Sequence, residues 1–290
     1  MTSARLFLLV SLAMTAFVGN SILTRLALWT HRIDATSFTT VRLASGAIAL
    51  TILCWLHPDT DRARRPHAQS DWHAGLGSGV VLFVYAASFS FAYVLLPAGA
   101  GALLLFGAVQ TTMIAVGYWH GERLNKAQTA GFGMALAGLA AMLLPGLSAP
   151  PIKATLWMIV AGVAWGSYSL LGRDARDPMR TTTTNFSRAA LMSLVLSAAT
   201  VAHARWDGRG VLLAVLAGVV TSGIGYVVWY AALRVLTVTR AACVQLTVPV
   251  LAATGGVLFM NEVVTLRLVI SSAAVLGGIA IVLMRGPMKA

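Results

Sequence analysis

Long apolar stretches separated by short polar or charged connections run along the whole chain. Cutting the sequence at its charge clusters leaves ten stretches, each near the ~20 residues that a helix needs to cross a ~30 Å hydrocarbon core. The stretches occupy residues 6–28, 35–56, 74–95, 98–118, 126–144, 153–172, 180–203, 209–234, 237–259 and 264–285. The pattern predicts an all-α membrane protein with ten transmembrane helices and short connections.

Composition indicates the same class of protein. Of the 290 residues 58% are apolar and 10% are charged, and the mean hydropathy is +0.80, values outside the range of soluble globular chains. The net charge of +12 would suit nucleic acid, but the basic residues are spread one to three per connection without forming a stripe. We therefore expect the lipid bilayer as the surroundings and no nucleic-acid partner.

The positions of Lys and Arg predict the orientation. If the N-terminus is cytoplasmic, thirteen of these residues lie on the inner side and six, Arg25 and Arg32 among them, on the outer side. Cytoplasmic connections carry an excess of Lys and Arg, so both termini are predicted to be cytoplasmic. The first stretch is interpreted as a span rather than a signal peptide, because its apolar run is long and no convincing cleavage site follows it.

The second half of the chain resembles the first. A shift of 140 positions sets Gly121-Glu122 on Asn261-Glu262, and each pair lies in a turn between two spans. Because five spans are an odd number, a second copy must enter the membrane from the opposite side. We predict two inverted five-helix repeats, residues 1–148 and 149–290, joined by a linker that contains Pro and Gly.

Short motifs recur in the opening and closing parts of each half. Phe17-Val18-Gly19 and Trp165-Gly166 place an aromatic residue close to a glycine in the opening spans, and Glu122 and Glu262 precede the closing spans. With the two inverted halves, these features resemble the drug/metabolite transporter superfamily, EamA-type. The resemblance implies a transporter of the bacterial cell inner membrane, and the chain is similar to YddG-like exporters of aromatic amino acids.

The ninth span departs from its counterpart in the first half. It contains Pro249, whereas Val109 takes the related position in the fourth span. A proline at both positions is common in the family that the chain resembles. Helix flexibility that depends on this proline is therefore not expected in the fourth span.

Aromatic and polar residues in the middle of the spans are the candidates for substrate binding. Transporters built from inverted repeats bind their substrates near the bilayer midplane, and lipid cannot satisfy a mid-span amide. For each residue the alternative is core packing or an interhelical hydrogen bond. The predicted substrate-binding set is Phe17, Asn20, Tyr85, Phe89, Gln110, Trp165, Tyr168, Tyr226, Trp229 and Gln245. Aromatic walls with neutral amides suit a zwitterion that has an apolar body.

Four charged residues allow more than one interpretation. Arg42 and Arg188 lie at related positions of the two halves, and each either attracts a substrate carboxylate or is a structural strut. Glu122 and Glu262 stand in turns before a helix, where a carboxylate can accept backbone N–H groups, so we predict structural caps. Since no acidic residue lies mid-span, transport is expected to follow the substrate's own gradient.

The sequence lacks a catalytic or metal-binding pattern, so we predict no enzyme activity, no cofactor and no metal. The leading hypothesis is an exporter of small amphipathic metabolites, with aromatic or hydrophobic amino acids foremost, that works by alternating access around a central uncharged cavity. A drug or metabolite exporter of broader specificity is the alternative within transport. A membrane scaffold without transport is the alternative outside it, although a scaffold would not need mid-span amides.

Overall fold

Helices form the regular secondary structure of the described residues, apart from an isolated bridge between Ile33 and Trp206. The computed structural model describes residues 3–56, 72–119, 121, 125–143, 150–173, 175, 177–245 and 247–284. The helices are α1 (Ser3–Trp29), α2 (Ala35–Leu56), α3 (Trp72–Tyr93), α4 (Ala98–Trp119), α5 (Lys126–Leu143), α6 (Ile152–Gly172), α7 (Pro178–Ala199), α8 (Gly208–Leu216), α9 (Gly225–Leu233), α10 (Val238–Val244), α11 (Thr247–Met260) and α12 (Leu266–Met284). A 3₁₀ turn, Val201–His203, follows α7, and a π-helix, Ala217–Ile224, joins α8 to α9.

Each of the ten predicted stretches contains a helix. Among the described residues, six helices are long and apolar enough to cross a membrane, and two shorter apolar helices, Thr247–Met260 and Leu266–Gly278, accompany them. The all-helical fold is therefore confirmed for the described part of the chain, while ten spans stay a prediction. The seventh stretch ends earlier than expected, because α7 stops at Ala199 and the 3₁₀ turn follows.

The ninth predicted span is not one continuous helix. It is divided between α10 and α11 at Gln245, four residues before Pro249. Proline has no N–H for the carbonyl four residues earlier, and its ring clashes with that carbonyl. The Gln245 carbonyl instead accepts the Val248 N–H at 3.2 Å. Val109 imposes no such break, and α4 continues from Ala98 to Trp119.

The helices pack in a pattern that the two halves share. Helix α3 packs on α6, and the span made of α8, the π-helix and α9 packs on α1. Likewise α4 packs on α6 and α11 packs on α1, while α2 lies against α7, α4 against α11, and α5 against α12. Exchanging each helix for its counterpart in the other half reproduces these contacts, as expected for two copies of one design.

The turns aligned by the sequence repeat have the same unusual backbone conformation. Gly121, after α4, has a φ of +90°, and Asn261, after α11, has a φ of +52°. Glycine adopts this left-handed region without steric cost, and asparagine does so more readily than most residues. Related helices of the two halves are therefore followed by similar turns, formed by residue types suited to them.

Apolar side chains cover the outside of the bundle, and polar side chains lie within it. Phe7, Ile48 and Val195 are exposed, whereas Asn20 and Gln110 are buried. Lipid tolerates exposed apolar side chains but cannot satisfy polar groups, so a membrane protein turns such groups inward. The interior is consequently where a polar substrate could be recognised.

Candidate functional site

Aromatic rings from four helices meet in the interior of the bundle. The Trp165 ring lies at the centre, with its centroid 4.5 Å from that of Tyr226, 5.0 Å from Tyr85 and 5.3 Å from Phe17. We call the seven predicted rings that contact one another here the aromatic cluster: Phe17, Tyr85, Phe89, Trp165, Tyr168, Tyr226 and Trp229. None of the seven residues is more than 4% exposed. Helices α1, α3, α6 and α9 thus bring residues of both halves together.

Gln245 holds the central indole from the break between α10 and α11. The Trp165 Nε1–H donates to Gln245 Oε1 at 2.8 Å, and Gln245 Nε2 donates to the Ala241 carbonyl at 3.3 Å. Both side chains are buried, so the loss of one partner would leave the other unsatisfied away from water. The helix break therefore places a polar group directly beside the aromatic cluster.

Gln110 lies on the face of α4 that is turned to the aromatic cluster. One helical turn before it, Phe106 contacts Phe17 at a centroid distance of 6.4 Å. About one turn after it, the Met113 sulfur lies 3.7 Å from Gln245 Nε2. Residues at these spacings share a helix face, so Gln110 lies between the two contacts. Its Nε2 is buried and has no hydrogen-bond partner among the described residues.

A chain of buried hydrogen bonds leads from Arg42 into the aromatic cluster. Arg42 Nε donates to Ser222 Oγ at 3.1 Å, Ser222 Oγ to Asn20 Oδ1 at 3.5 Å, and Asn20 Nδ2 to the Tyr85 hydroxyl at 3.1 Å. Arg42 Nη2 donates to the Tyr226 hydroxyl at 3.2 Å. The residues predicted to bind substrate carry no net charge, but the structure places a guanidinium against them.

A close approach of α2 to the π-helix makes these contacts possible. A Cβ at Gly218 would overlap the carbonyl oxygen of Arg42. Gly46 on α2 matches it, because a Cβ there would lie 2.9 Å from the Gly218 carbonyl oxygen. Small residues let helices come close in this way, and π-helical segments are frequent at functional sites. Arg42 can therefore reach Ser222 and Tyr226 on the facing segment.

Arg188 has a different environment from Arg42. Arg42 is fully buried, whereas Arg188 is half-buried on α7. The Arg188 Cβ lies 2.8 Å from the place that a Cβ would take at Gly79 on α3, so the base of its side chain packs against that helix. The two arginines occupy related sequence positions but do not have equivalent surroundings.

A second buried arginine lies at one end of the bundle. Arg25 Nε donates to Glu262 Oε1 at 3.2 Å, and Arg25 Nη1 donates to the carbonyls of Tyr93 and Val94 at 3.0 and 3.2 Å. The two carboxylate oxygens of Glu262 accept the Ala98 N–H at 3.0 and 2.9 Å. These five residues form what we call the clasp. Glu262 thus caps α4 of the other half, where the helix dipole favours a negative charge.

Two expectations from the sequence concern this end of the bundle. Arg25 was counted with the charges of the outer connections, but it lies inside α1 and is only 3% exposed. Glu262 was expected to cap the helix that follows it in sequence, and it caps the distant α4 instead. Glu122, the other predicted cap, lies outside the described residues.

A cavity of about 480 Å³ lies beside the clasp. Its lining includes Arg25, Trp29, Pro97, Pro151, Val257 and Glu262. Its volume is within the range of small-molecule sites. The Tyr93 ring of the neighbouring α3 packs on Phe89 of the aromatic cluster at a centroid distance of 4.6 Å. A line of rings on α3 therefore connects the clasp with the buried site.

A family model matches the chain twice. The model describes the EamA-like transporter family, and the matches cover residues 5–144 and 152–284. The chain belongs to this family. The resemblance to the EamA-type transporters is thereby confirmed, and this EamA-like protein is a multi-pass membrane transporter with a small-molecule substrate.

Several relatives extend along nearly the whole EamA-like chain. An uncharacterized protein of Pseudomonas aeruginosa is 49% identical over 98% of this chain and 96% of its own. Uncharacterized transporters of Archaeoglobus fulgidus and Bacillus subtilis, the latter called YoaV, are 28% and 22% identical over 86% of this chain. The matched region covers 86% of the Archaeoglobus protein and 87% of the Bacillus protein.

A solved structure shares the fold at 20% identity. It has a TM-score of 0.70 and covers 95% of this EamA-like chain and 96% of its own. The specificity for aromatic amino acids stays a prediction.

Further residues of this EamA-like transporter join the aromatic cluster without having been predicted. The Phe186 ring lies 5.6 Å from that of Tyr226, and Asn185 Nδ2 donates to the Tyr168 hydroxyl at 3.5 Å. Asn185 is a mid-helix amide, like those that were selected. It follows a run of polar residues at the start of α7, so it did not stand out as a polar residue in an apolar span. Ser222 was missed because a serine within an apolar span carries little information alone.

Proposed function

We propose that this EamA-like transporter exports small amphipathic metabolites, with aromatic and hydrophobic amino acids as the substrates that fit its interior best. One observation carries the proposal: a buried cluster of seven rings meets three amides and a guanidinium where helices of both halves join. Ring faces suit the apolar body and the ammonium group of such a substrate, and N–H donors suit its carboxylate. Binding and transport, rather than catalysis, are the role of this site.

The charges around the site favour an amino acid over two other substrate classes. A lipophilic cation calls for a buried acid, but the four acidic residues that the structure describes lie at or beyond helix ends, namely Asp34, Asp177, Asp207 and Glu262. A phosphorylated metabolite calls for several inward cations; Arg42 is buried in contact with the cluster, whereas Arg188 is only half-buried.

We propose alternating access because the site is closed in this structure. Because the rings of the cluster are almost completely buried, a substrate can enter or leave only after helices separate. We propose that the inverted halves, residues 1–148 and 149–290, move about this seam, with α3–α4 and α8–α11 as the moving parts. Release of the clasp would open the end at which α3 meets α4.

We further propose that the protein lies in the bacterial inner membrane with both termini in the cytoplasm. The clasp and its cavity then face the outside, on the exit side of an exporter. The positions of the described acidic residues at helix ends favour transport down the substrate's gradient without a coupled ion. Uptake into proteoliposomes that strictly requires an imposed proton or sodium gradient would contradict this coupling.

Counterflow of radiolabelled phenylalanine in proteoliposomes tests the proposal. Trp165→Phe keeps a ring but removes the donor to Gln245, so we expect phenylalanine exchange to fall by ~10-fold, the effect of one unsatisfied buried acceptor. Trp157→Phe is the matched control on the same helix, because Trp157 is 38% exposed and packs on Phe91 outside the cluster. Equal exchange by both variants would place the site elsewhere.

A broader drug or metabolite exporter is the second candidate. The aromatic cluster favours this candidate because flat ring faces bind many apolar molecules by contact area and impose few directional hydrogen bonds. A panel of unlabelled competitors separates the two candidates. Competition by many unrelated apolar compounds at the level of phenylalanine indicates the broad exporter, and competition restricted to amino acids indicates the narrow one.

A further inference from the structure

Arg42 is a buried cation that no acidic residue of the described chain compensates. Its Nε and Nη2 donate to the neutral hydroxyls of Ser222 and Tyr226, and its guanidinium carbon lies 5.5 and 5.3 Å from the ring centroids of Tyr85 and Phe89. Its Nη1 is buried without a hydrogen-bond partner among the described residues. A buried charge of this kind is costly unless it acquires a partner.

Two further groups around the aromatic cluster have the same deficit. Trp229 Nε1 and Gln110 Nε2 are also buried without a hydrogen-bond partner in the described chain. All three groups are N–H donors, so a partner that satisfied any of them would supply acceptors. Trp229 lies on Phe17, which in turn contacts Tyr226, the ring beside Arg42. A carboxylate carries two oxygens with about four acceptor sites and the negative charge that Arg42 lacks.

We propose that Arg42 anchors the carboxylate of the transported molecule, so that a free carboxylate on an apolar body is a condition for tight binding. The inference rests on the proposed function and narrows its substrate class. Arg188, the related residue of the second half, is less buried than Arg42 and its base packs against Gly79, so we assign the anchor to Arg42. One anchor matches a single carboxylate and does not match a dianion such as a phosphate.

Competition between an acid and its amide tests the anchor in proteoliposomes. Phenylalanine and phenylalaninamide share the ring and the ammonium group and differ at the carboxylate. We expect the acid to inhibit phenylalanine counterflow ~10- to 100-fold better in the native protein, the range for a hydrogen bond to a charged group. Arg42→Met should reduce this ratio to about one by the same reasoning, while Arg188→Met should keep it.

Arg42→Lys keeps the charge but loses the planar fork of the guanidinium, so it should restore part of the preference for the acid. A preference that is unchanged in Arg42→Met would overturn the inference. Loss of the preference in Arg188→Met, with retention in Arg42→Met, would overturn it as well. If Arg42→Met does not fold, the Arg42→Lys ratio decides, and an unaltered ratio there counts against the anchor.

Thermal stabilisation in detergent separates this inference from the proposed function, because it requires binding but no transport. Phenylalanine and 3-phenylpropanoate should raise the melting temperature of the native protein, and phenylalaninamide should raise it less. Stabilisation by these acids without counterflow of any amino acid would leave the anchor standing and refute the exporter. If neither acid stabilises the protein more than the amide does, the anchor is wrong whatever the transport assay gives.

Discussion

Arg25 and Arg42 are both buried in helices of the first half, but they are compensated in different ways. Arg25 has the Glu262 carboxylate and two backbone carbonyls as acceptors. Arg42 has two hydroxyls and two ring faces, and one of its amino groups has no partner in the described chain. The first charge is satisfied by the protein itself, and the second is satisfied only in part.

This difference separates a structural role from a binding role. A fully compensated ion pair joins the elements that supply its partners, here α1, the α3–α4 connection and the segment before α12. A buried cation without an anion lowers the stability of the empty protein, and its strongest interaction forms only when an anionic ligand binds. Stability and binding should therefore respond in opposite ways at the two arginines.

Breaking the compensated arginine should have the largest effect on stability. Glu262→Gln removes the anion while Arg25 stays buried, which we expect to lower the free energy of unfolding by about 3–5 kcal/mol, as when one partner of a buried ion pair is lost. The measurement is thermal or denaturant unfolding of the purified protein in detergent. Asp207→Asn, which removes the partner of the more exposed Arg32, is the matched control and should have a much smaller effect. Equal effects would show that the clasp is no stronger than a surface ion pair.

Removing the partly compensated arginine should cost far less. Arg42→Met eliminates the buried charge together with its desolvation, so we expect the free energy of unfolding to change by less than about 1 kcal/mol or to rise. Arg25→Met provides the contrast, because it leaves Glu262 without its cation. Both variants are compared with the native protein by unfolding in the absence of any amino acid. A loss of stability in Arg42→Met as large as in Arg25→Met would show that Arg42 is a structural strut.

Local pattern predicted the helices because the length of an apolar run and the charges at its ends are properties of neighbouring residues. The break before Pro249 is also a local effect, yet the span had been expected as one unit. Its position follows from the lost hydrogen bond at the carbonyl of Gln245. The π-helix Ala217–Ile224 had no signal in the local pattern, and in the structure its Gly218 lies in close contact with α2.

The predicted site residues were selected by their polarity and helical spacing, and the structure buries them together. The partnership of Arg25 with Glu262 joins residues 237 positions apart, so no periodicity within one helix could indicate it. The same holds for the difference between Arg42 and Arg188, which are related in sequence. How deeply each is buried depends on the opposing helices, and this information is absent from either span alone.

The smallest expected effect concerns a carboxylate that is stabilised by N–H groups without an arginine side chain. Asp34 precedes α2 and accepts the backbone N–H groups of Thr36 and Ser37 at 3.0 Å and of Arg205 at 2.9 Å. Burial raises the pKa of Asp34, but the hydrogen bonds from Ser37, Arg205 and Thr36 outweigh it and hold the pKa below the ordinary 3.8. The ionised form is therefore favoured in the folded protein.

The sign of the pH dependence follows from this lowered pKa. The contribution of Asp34 to stability is present above its unfolded pKa and is lost as the pH falls through the folded value. We expect Asp34→Asn to lower the melting temperature at pH 7 and to have progressively less effect below pH 4, close to the ordinary value of 3.8. The difference between the native protein and the variant is measured across this range. A difference that does not shrink on acidification would contradict this prediction and show that the charge of Asp34 adds nothing to its capping of α2.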